Sequence, residues 1–250
     1  MDPLRALLAA GVGYLVGSIS FARLVTRIVV PGKDISRTEF RAPGAEDAVI
    51  SHSVSATTVS MHVSPKFGFA TVVLDMLKIV IPTLVFKRAY AEVPYFLITA
   101  TAGMVGHIWP LYHGFKGGRG LSAMYGGMFA IDWIGVFATS IGGMLLGLLV
   151  FRDMLAAYMG GLWLIIPWLW FRTHDVNYLL YGIAVNIIFL LAQIPEMKQY
   201  LKFKREGKVT DISEVMQLTG MGRGIYKMAR RLGVVEDEAS DRTDATGSTA

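Results

Sequence analysis

The chain has 250 residues, of which 53% are hydrophobic and only 17% are charged, and its formal net charge is +5. Soluble domains carry about 25% charged residues, so this composition excludes an ordinary soluble globular domain. The absence of cysteine excludes disulfide bonds and thiolate metal sites.

Six long apolar runs predict a polytopic membrane protein. A spanning helix needs about 20 mostly apolar residues, and the runs of suitable length are 4–21, 67–86, 93–112, 121–151, 154–171 and 176–195. No A-x-A-like cleavage site follows the first run, so we interpret it as a span and not as a cleaved signal. The run 121–151 is too long for one span, and Asp132 and Gly135 are expected to divide it. The predicted fold is therefore all-α, a bundle of about seven transmembrane helices.

Basic residues cluster in three connecting segments and predict the orientation of the bundle. The clusters follow the first, third and last apolar segments: Arg27, Lys33, Arg37, Arg41 and Lys66, then Lys116 and Arg119, then the region 198–231. Because cytoplasmic loops collect Lys and Arg, we expect these segments in the cytoplasm and the N-terminus outside. That arrangement requires an odd number of spans, which seven satisfies, although Lys87 and Arg88 then lie outside.

The sequence also suggests a division into domains. Residues 1–210 are the predicted membrane domain, 211–235 a basic cytoplasmic segment, and 236–250 an acidic tail expected to be disordered. The stretch KMARRLG at 227–233 either lies on an anionic membrane surface or simply follows the positive-inside rule. The segment 35–50 mixes acidic and basic residues and is expected to be a solvated loop.

Asp75 and Lys78 are charged residues within an apolar run. They are three positions apart, so they share one face of a helix. Charged groups inside a span are costly, and they usually pair, face the bundle interior and mark function. We therefore treat both as candidate functional residues; the alternative is a structural ion pair near the helix end.

The stretch GHIWPLYHGFKGGRG at 106–120 combines glycines with two cations, Lys116 and Arg119. Glycines allow sharp turns whose successive N–H groups form an anion-binding concavity, and arginine adds a bidentate fork. The loop, with Gly117, Gly118 and Gly120, therefore suits a phosphate or another anion. The alternative is a tight cytoplasmic turn that carries positive-inside charges.

His107 opens the same stretch. A single histidine is more often structural, but in company with Lys78 and Lys116 it becomes a candidate base or anion donor. The chain contains neither the Walker pattern nor the H-E-x-x-H spacing. We therefore expect no metal and no cofactor.

Four segments together carry a family resemblance. In this order, YLVGSISFARLV, GKDI, SATTVSMHVSPKFGFATVVLDMLKIVIP and GHIWPLYHGFKGGRG resemble the motifs of the bacterial acyl-phosphate:glycerol-3-phosphate acyltransferases, the PlsY family. The resemblance covers roughly residues 10–210, and the last motif is the most specific. Asp75 and Lys78 match the family, and Thr57 falls in the second motif.

Several positions depart from the family pattern. Ser20 stands in place of a proline, Met61 in place of an arginine, and Arg119 in place of a lysine. The second motif reads ISHSVSATT, without the glycines and asparagines of the family, and IPEM at 194–197 stands where the family has H-R-E-N. These changes fall near substrate in the family, so they concern the identity of the acyl acceptor.

The resemblance implies an enzyme of the inner (plasma) membrane whose active-site loops face the cytoplasm. Such enzymes transfer a fatty acyl group from acyl phosphate to the sn-1 hydroxyl of glycerol 3-phosphate, and the product is lysophosphatidic acid. The implied partners are these two substrates and the lipid bilayer, without nucleic acid.

The resemblance also implies roles for individual residues. His107 takes the hydroxyl proton or steadies the leaving phosphate, and Lys78 is the second catalytic candidate. Ser18 hydrogen-bonds substrate or, equally, packs between helices. The implied substrate-binding residues are Asp75, Lys116, Gly117, Gly118, Arg119, Gly120 and Thr57.

Two other hypotheses remain open from the sequence. The altered second motif favours a degenerate homologue that binds a phosphorylated lipid precursor or a membrane partner without catalysis. Internal inverted repeats would favour a small transporter. The H-x-x-x-x-D box of the other large class of glycerolipid acyltransferases is absent, which argues against a donor of that type.

Overall fold

The apolar runs form helices throughout the computed structural model, which describes residues 1–40, 49–206 and 220–234. The helices are α1 (Pro3–Gly17), α2 (Phe21–Val29), α3 (Ala56–His62), α4 (Pro65–Ala89), α5 (Tyr95–Ile108), α6 (Leu121–Ile131), α7 (Trp133–Leu145), α8 (Met154–Thr173), α9 (Val176–Arg205) and α10 (Gly220–Arg231). Helix α7 continues as a wider π-helical segment, Leu146–Phe151, and a 3-10 turn spans Leu111–His113. The predicted disordered tail at 236–250 lies outside the described residues.

Seven apolar helices form the membrane bundle. Within the described residues, five segments are long and apolar enough to cross a bilayer: Pro3–Val29, Pro65–Ala89, Trp133–Phe151, Met154–Thr173 and Val176–Gln199. The shorter apolar helices α5 and α6 bring the number to seven. The predicted polytopic helical bundle is therefore confirmed.

The faces of these helices divide into a core and a lipid-facing surface. The core lies between α4, α5, α6, α8 and α9, where Ile79, Met104 and Phe189 are fully buried. Large apolar side chains such as Phe69 and Phe171 are exposed on the outside of the bundle. Exposed apolar side chains of this kind are expected where a helix contacts lipid.

Helices α1 and α5 pack with their backbones in close contact. A Cβ atom on Gly17 would collide with the backbone of Gly103, and small residues of this kind let membrane helices approach closely. The packing brings the C-terminal ends of both helices together. As a result, Leu111 N, in the segment that follows α5, donates a hydrogen bond of 3.2 Å to Ser18 Oγ at the end of α1.

Asp132 divides the run 121–151, as predicted. Helix α6 ends at Ile131, and Asp132 caps α7 by accepting a hydrogen bond of 3.3 Å from Gly135 N. Its other oxygen accepts a hydrogen bond from Trp168 Nε1 at 2.9 Å and pairs with Arg172 Nε at 3.1 Å. One carboxylate thus joins the α6–α7 junction to α8.

Lys87, which the topology prediction places on the outer side, has a structural role at the same junction. Its Nζ donates hydrogen bonds to the carbonyls of Ala130 and Ile131, at 3.0 and 2.9 Å. These carbonyls end α6, where a cation is favoured by the helix dipole. A local partner therefore explains this basic residue at the end of the bundle that lies away from the glycine-rich loop.

We expect Asp132→Ala to lower the free energy of unfolding by about 2–3 kcal/mol, because the helix cap is lost and Trp168 Nε1 loses its acceptor. Thermal unfolding in detergent would measure this. Asp153→Ala is the matched control, because Asp153 caps α8 through Ala156 N at 2.6 Å and its side chain bonds no other helix among the described residues. Its loss should cost about 1 kcal/mol. Equal shifts for both variants would contradict the joining role of Asp132.

The segment 35–50 contributes a strand pair instead of only a solvated loop. Strand β1 (Thr38–Phe40) pairs antiparallel with β2 (Val49–Ser51), with Thr38 opposite Ser51. The prediction of a simple solvated loop is wrong for the two strands, because Thr38 and its partner Ser51 are both only 1% exposed; residues 41–48 lie outside the described part of the chain. Ser51 Oγ donates a hydrogen bond of 2.6 Å to Glu196 of α9, so the strand pair docks onto the bundle.

Helix α10 lies against the membrane domain through apolar contacts. Its residues Ile225 and Ala229 are buried against Leu148 and Met154, at the junction of α7 and α8. The other side of α10 exposes the basic residues Arg223, Lys227, Arg230 and Arg231.

Candidate active site

Three long helices and two loops meet in a pocket at one end of the bundle. The pocket is lined by residues from the end of α1, the segment before α3, the middle of α4 and the end of α5 with its following loop: Ser18, Ile19, Ser20, Val54, Asp75, Lys78, His107, Pro110 and Gly118. The N-terminus lies at the other end of the bundle, where Asp2 N donates to Tyr95 Oη at the start of α5. The length of α5 therefore separates the pocket, at its C-terminal end, from the N-terminus of the chain.

Asp75 and Lys78 form an ion pair at the pocket. They lie one turn apart on α4, with 2.7 Å between Asp75 Oδ1 and Lys78 Nζ, as predicted for one helix face. The two residues are only 1% and 5% exposed. Lys78 Nζ also donates a hydrogen bond of 2.6 Å to the carbonyl of Ile19, which lies in the short break between α1 and α2 at residues 18–20. An ammonium has three donors, so two fix the position of Lys78 and one remains for a ligand.

His107 lies beside this ion pair at the end of α5. Its Nδ1 is 3.6 Å from Asp75 Oδ1, so a protonated imidazole would lie within ion-pair distance of the carboxylate. The side chain of His107 is buried. An acid, a lysine and a histidine therefore converge, although His107 is 32 positions from Asp75 in the chain.

The glycine-rich loop packs directly on His107. A Cβ atom on Gly118 would collide with His107 Nε2, so glycine is needed for the main chain to approach the imidazole. The amides of Gly117 and Gly118 donate to the carbonyls of Ile108 and His107 at 3.1 and 3.0 Å. In the structure these two amides therefore close the end of α5, and anion binding by the loop stays a prediction. Gly120 has a φ of +91°, which favours glycine.

Arg119 joins the loop to two other parts of the chain. Its Nε lies 3.5 Å from Glu196 Oε1 on α9, and its Nη2 lies 3.5 Å from Ser51 Oγ on β2. Sequence reasoning did not identify Ser51 or Glu196 as partners of the loop. Glu196 is the only acidic residue in the apolar and basic stretch 176–205, and this isolation was the available signal.

The remaining predicted residues occupy different positions. Ser18 is fully buried and lines the pocket. Its Oγ donates a hydrogen bond to the Tyr14 carbonyl at 2.8 Å and accepts one from Leu111 N. Ser18 therefore holds α1 to the segment that follows α5. Lys116 is exposed, and Thr57 is half-buried in the first turn of α3. Neither Lys116 nor Thr57 lines the pocket. Within the described parts of the chain, no group of three or more His, Asp or Glu side chains is arranged to hold a metal ion.

Fold and site together define a polytopic membrane protein with a buried acid–lysine–histidine site at one end of its bundle. Residues 7–202 match the family model described as glycerol-3-phosphate acyltransferase, so the chain belongs to that family. The family resemblance read from the motifs is thereby confirmed.

Individual relatives are similar to part of the chain. The glycerol-3-phosphate acyltransferase of Anaeromyxobacter sp. (strain K) is 38% identical over 134 residues, which cover 52% of this chain and 60% of the relative. The glycerol-3-phosphate acyltransferase of Aquifex aeolicus (strain VF5) is 30% identical over 145 residues, which cover 54% of this chain and 69% of the relative. The chain thus spans about 60% of the length of the Anaeromyxobacter protein.

Solved structures share the fold. The crystal structure of PlsY (YgiH), an integral membrane glycerol 3-phosphate acyltransferase, in its glycerol 3-phosphate form has a TM-score of 0.62 and 25% identity. The match covers 79% of this chain and 92% of PlsY. The lysophosphatidic acid form of the same protein matches equally well.

Proposed function

We propose that this protein transfers a fatty acyl group from acyl phosphate to the sn-1 hydroxyl of glycerol 3-phosphate, producing lysophosphatidic acid and inorganic phosphate. Family membership supports this proposal, as does the similarity to PlsY in its glycerol 3-phosphate and lysophosphatidic acid forms. The observation in this chain that carries the proposal is the buried cluster of Asp75, Lys78 and His107 at the pocket.

His107 is the proposed general base. It accepts the proton of the acceptor hydroxyl while that oxygen attacks the carbonyl carbon of the acyl phosphate. The bond between the carbonyl carbon and the phosphate oxygen then breaks, and phosphate leaves with the electron pair. Asp75 lies 3.6 Å from Nδ1 of the imidazole, so its negative charge stabilises the imidazolium that forms.

Lys78 is the proposed electrostatic group. Its charge stabilises the negative charge that develops on the carbonyl oxygen and on the leaving phosphate. Because Asp75 and the Ile19 carbonyl hold the ammonium in place, it does not need to reorganise during the reaction. Acyl phosphate is a mixed anhydride, so its carbonyl carbon is already activated. Positioning of the two reactants therefore supplies much of the rate, because such alignment can lower the activation barrier by about 7–11 kcal/mol.

The other predicted residues have supporting roles in this proposal. Arg119, oriented by Glu196 and Ser51, adds positive charge beside the glycine-rich loop. Lys116, which is exposed, attracts anionic substrates toward the pocket from solution.

We also place the pocket end of the bundle in the cytoplasm and the protein in the inner membrane, because the basic residues of the loop and of α10 favour that side.

Acyl transfer by purified protein in nanodiscs tests the function. The full chain would receive palmitoyl phosphate and labelled glycerol 3-phosphate, with Lys116→Ala and His107→Ala variants alongside. We expect lysophosphatidic acid from the wild type, less from Lys116→Ala, and almost none from His107→Ala. Palmitoyl-CoA in place of palmitoyl phosphate should give no product. Folded wild type that forms no product would overturn the proposal and favour a non-catalytic homologue.

We expect Gly118→Ala to lower the transfer rate roughly 10²-fold, because the added methyl group displaces the His107 imidazole by a distance that matters for alignment. Melting temperature should change little by comparison. Gly11→Ala is the matched control, since nothing lies within 4 Å of the added Cβ, and its rate should equal that of the wild type. A Gly118→Ala variant with normal activity would show that His107 tolerates displacement.

A further inference from the structure

Arg23 is a cation beside the pocket that the steps proposed above do not use. It is the third residue of α2, which begins directly after the break at the end of α1. Its Nη1 lies 3.4 Å from Ser20 Oγ, and Ser20 lines the pocket. The adjacent residue, Ile19, accepts the hydrogen bond from Lys78. Arg23 and Lys78 thus come from two different helices and are anchored on neighbouring residues of one short break.

The charge of Arg23 is less compensated by carboxylates than the charges of Lys78 and Arg119. Lys78 lies 2.7 Å from the Asp75 carboxylate, and Arg119 Nε lies 3.5 Å from that of Glu196. Across residues 1–40, 49–206 and 220–234, no carboxylate lies within salt-bridge distance of the Arg23 guanidinium. Arg23 is also half-buried, so water screens its charge less than that of an exposed arginine.

Two titratable groups act on Arg23 from neighbouring segments. Partial burial and the positive charges of Arg23 and Lys78 lower the pKa of His113, so this imidazole is neutral at pH 7. Hydrogen bonds from Ser36 lower the pKa of Asp34, and Arg23 and His62 contribute less to the same shift. Asp34 is therefore ionised, but it is exposed to solvent and its oxygens already accept from Ser36 at 2.8 and 2.9 Å. Asp34 therefore does not form an ion pair with the Arg23 guanidinium.

The proposed reaction brings two phosphate groups into one pocket. Their mutual repulsion must be offset by cations, and Lys78 is already partly neutralised by Asp75. A second cation that is not paired with a carboxylate is therefore needed near the first. Arg23 fits this need, because a guanidinium binds a phosphate monoester through two parallel hydrogen bonds.

We propose that Arg23 binds the phosphate monoester dianion of the acyl acceptor at the mouth of the pocket. This inference rests on the proposed function and names the residue that recognises the acceptor. Helix α2 leads from the pocket to the exposed turn at 31–33, so a water-soluble acceptor can enter from that side. The acceptor hydroxyl then extends toward His107, and Lys78 remains for the phosphate of the acyl donor, whose chain lies in the bilayer.

Steady-state kinetics in nanodiscs would test this assignment, with Arg23→Ala, Arg23→Lys and Arg27→Ala compared with the wild type. Arg27 is the matched control, because it is an exposed arginine one turn further along the same helix. For Arg23→Ala we expect the KM for glycerol 3-phosphate to rise roughly 10- to 100-fold, as for loss of a hydrogen bond to a charged group. The KM for palmitoyl phosphate should not change. Arg23→Lys should recover part of the loss, and Arg27→Ala should behave as wild type.

A binding measurement without turnover separates this inference from the proposed function. Glycerol 3-phosphate alone should raise the melting temperature of the wild type and of Arg27→Ala, but not that of Arg23→Ala. This pattern in a wild type that forms no lysophosphatidic acid would sink the proposed reaction and leave the acceptor site standing. Three results would overturn the assignment: an unchanged KM for glycerol 3-phosphate in Arg23→Ala, a rise confined to the KM for palmitoyl phosphate, or no melting shift in the wild type.

Discussion

Replacing His107 with alanine should lower kcat for acyl transfer roughly 10²–10⁴-fold, the usual contribution of a general base. The KM for glycerol 3-phosphate should stay close to its wild-type value, because the base acts on the proton in the transition state and contributes little to ground-state binding. The physical reason lies in the site: His107 is buried beside Asp75 and packed against Gly118.

Two comparisons make the His107 result specific. His107→Gln keeps most of the side-chain volume but cannot act as a base, so it should lose activity while the melting temperature stays near that of the wild type. His174→Asn is the control, because His174 ends α8 at the other end of the bundle with a φ of +50°, which asparagine tolerates. If His107→Gln kept its activity within tenfold of the wild type, the acceptor's own phosphate would have to take the proton.

Asp75→Ala should lower the free energy of unfolding by about 3–5 kcal/mol, because it leaves the Lys78 ammonium buried without its carboxylate. Acyl transfer should fall at least as far as in His107→Ala, because both the imidazolium and the ammonium lose their partner. Chemical unfolding in mixed micelles would measure the stability, and the nanodisc assay the rate. Glu39→Ala is the control, since its pair with Arg37 is exposed at 3.0 Å and is worth only about 0–1 kcal/mol.

The double variant Asp75→Ala, Lys78→Met distinguishes a functional ion pair from a structural one. Removing both charges removes the buried unpaired ion, so much of the stability lost in Asp75→Ala should return. Activity should not return, because the electrostatic group is gone. A double variant that regained both stability and transfer would show that the pair only supports the fold.

Several parts of the fold could be predicted because they depend on neighbours along the chain. The apolar runs predict helices through their length, and Asp132 divides the run 121–151 because a carboxylate can cap the helix that follows it. The pairing of Asp75 with Lys78 follows from helical periodicity alone. Motif order was sufficient to identify the family over most of the chain.

Other parts depended on contacts between distant segments. The strand pair at 38–51 was expected to be a loop, because three-residue strands carry little periodicity and Ser51 is stabilised by Glu196, 145 positions away. The two loop amides were expected to face an anion, but they close the end of α5. Local sequence cannot show which acceptor a glycine amide will meet, since that choice is made when helices pack.

The sequence by itself determined a helical membrane bundle, the Asp75–Lys78 pair and the family, because these follow from composition, periodicity and local motif order. Only the tertiary structure decided that His107 lies against Asp75, that Gly118 lies against His107, and that Arg23 and Lys78 are anchored on the same break. The reason is the packing of α1, α4 and α5 on one another, with α1 close to α5 through Gly17 and Gly103. This packing brings together segments that are far apart in the chain.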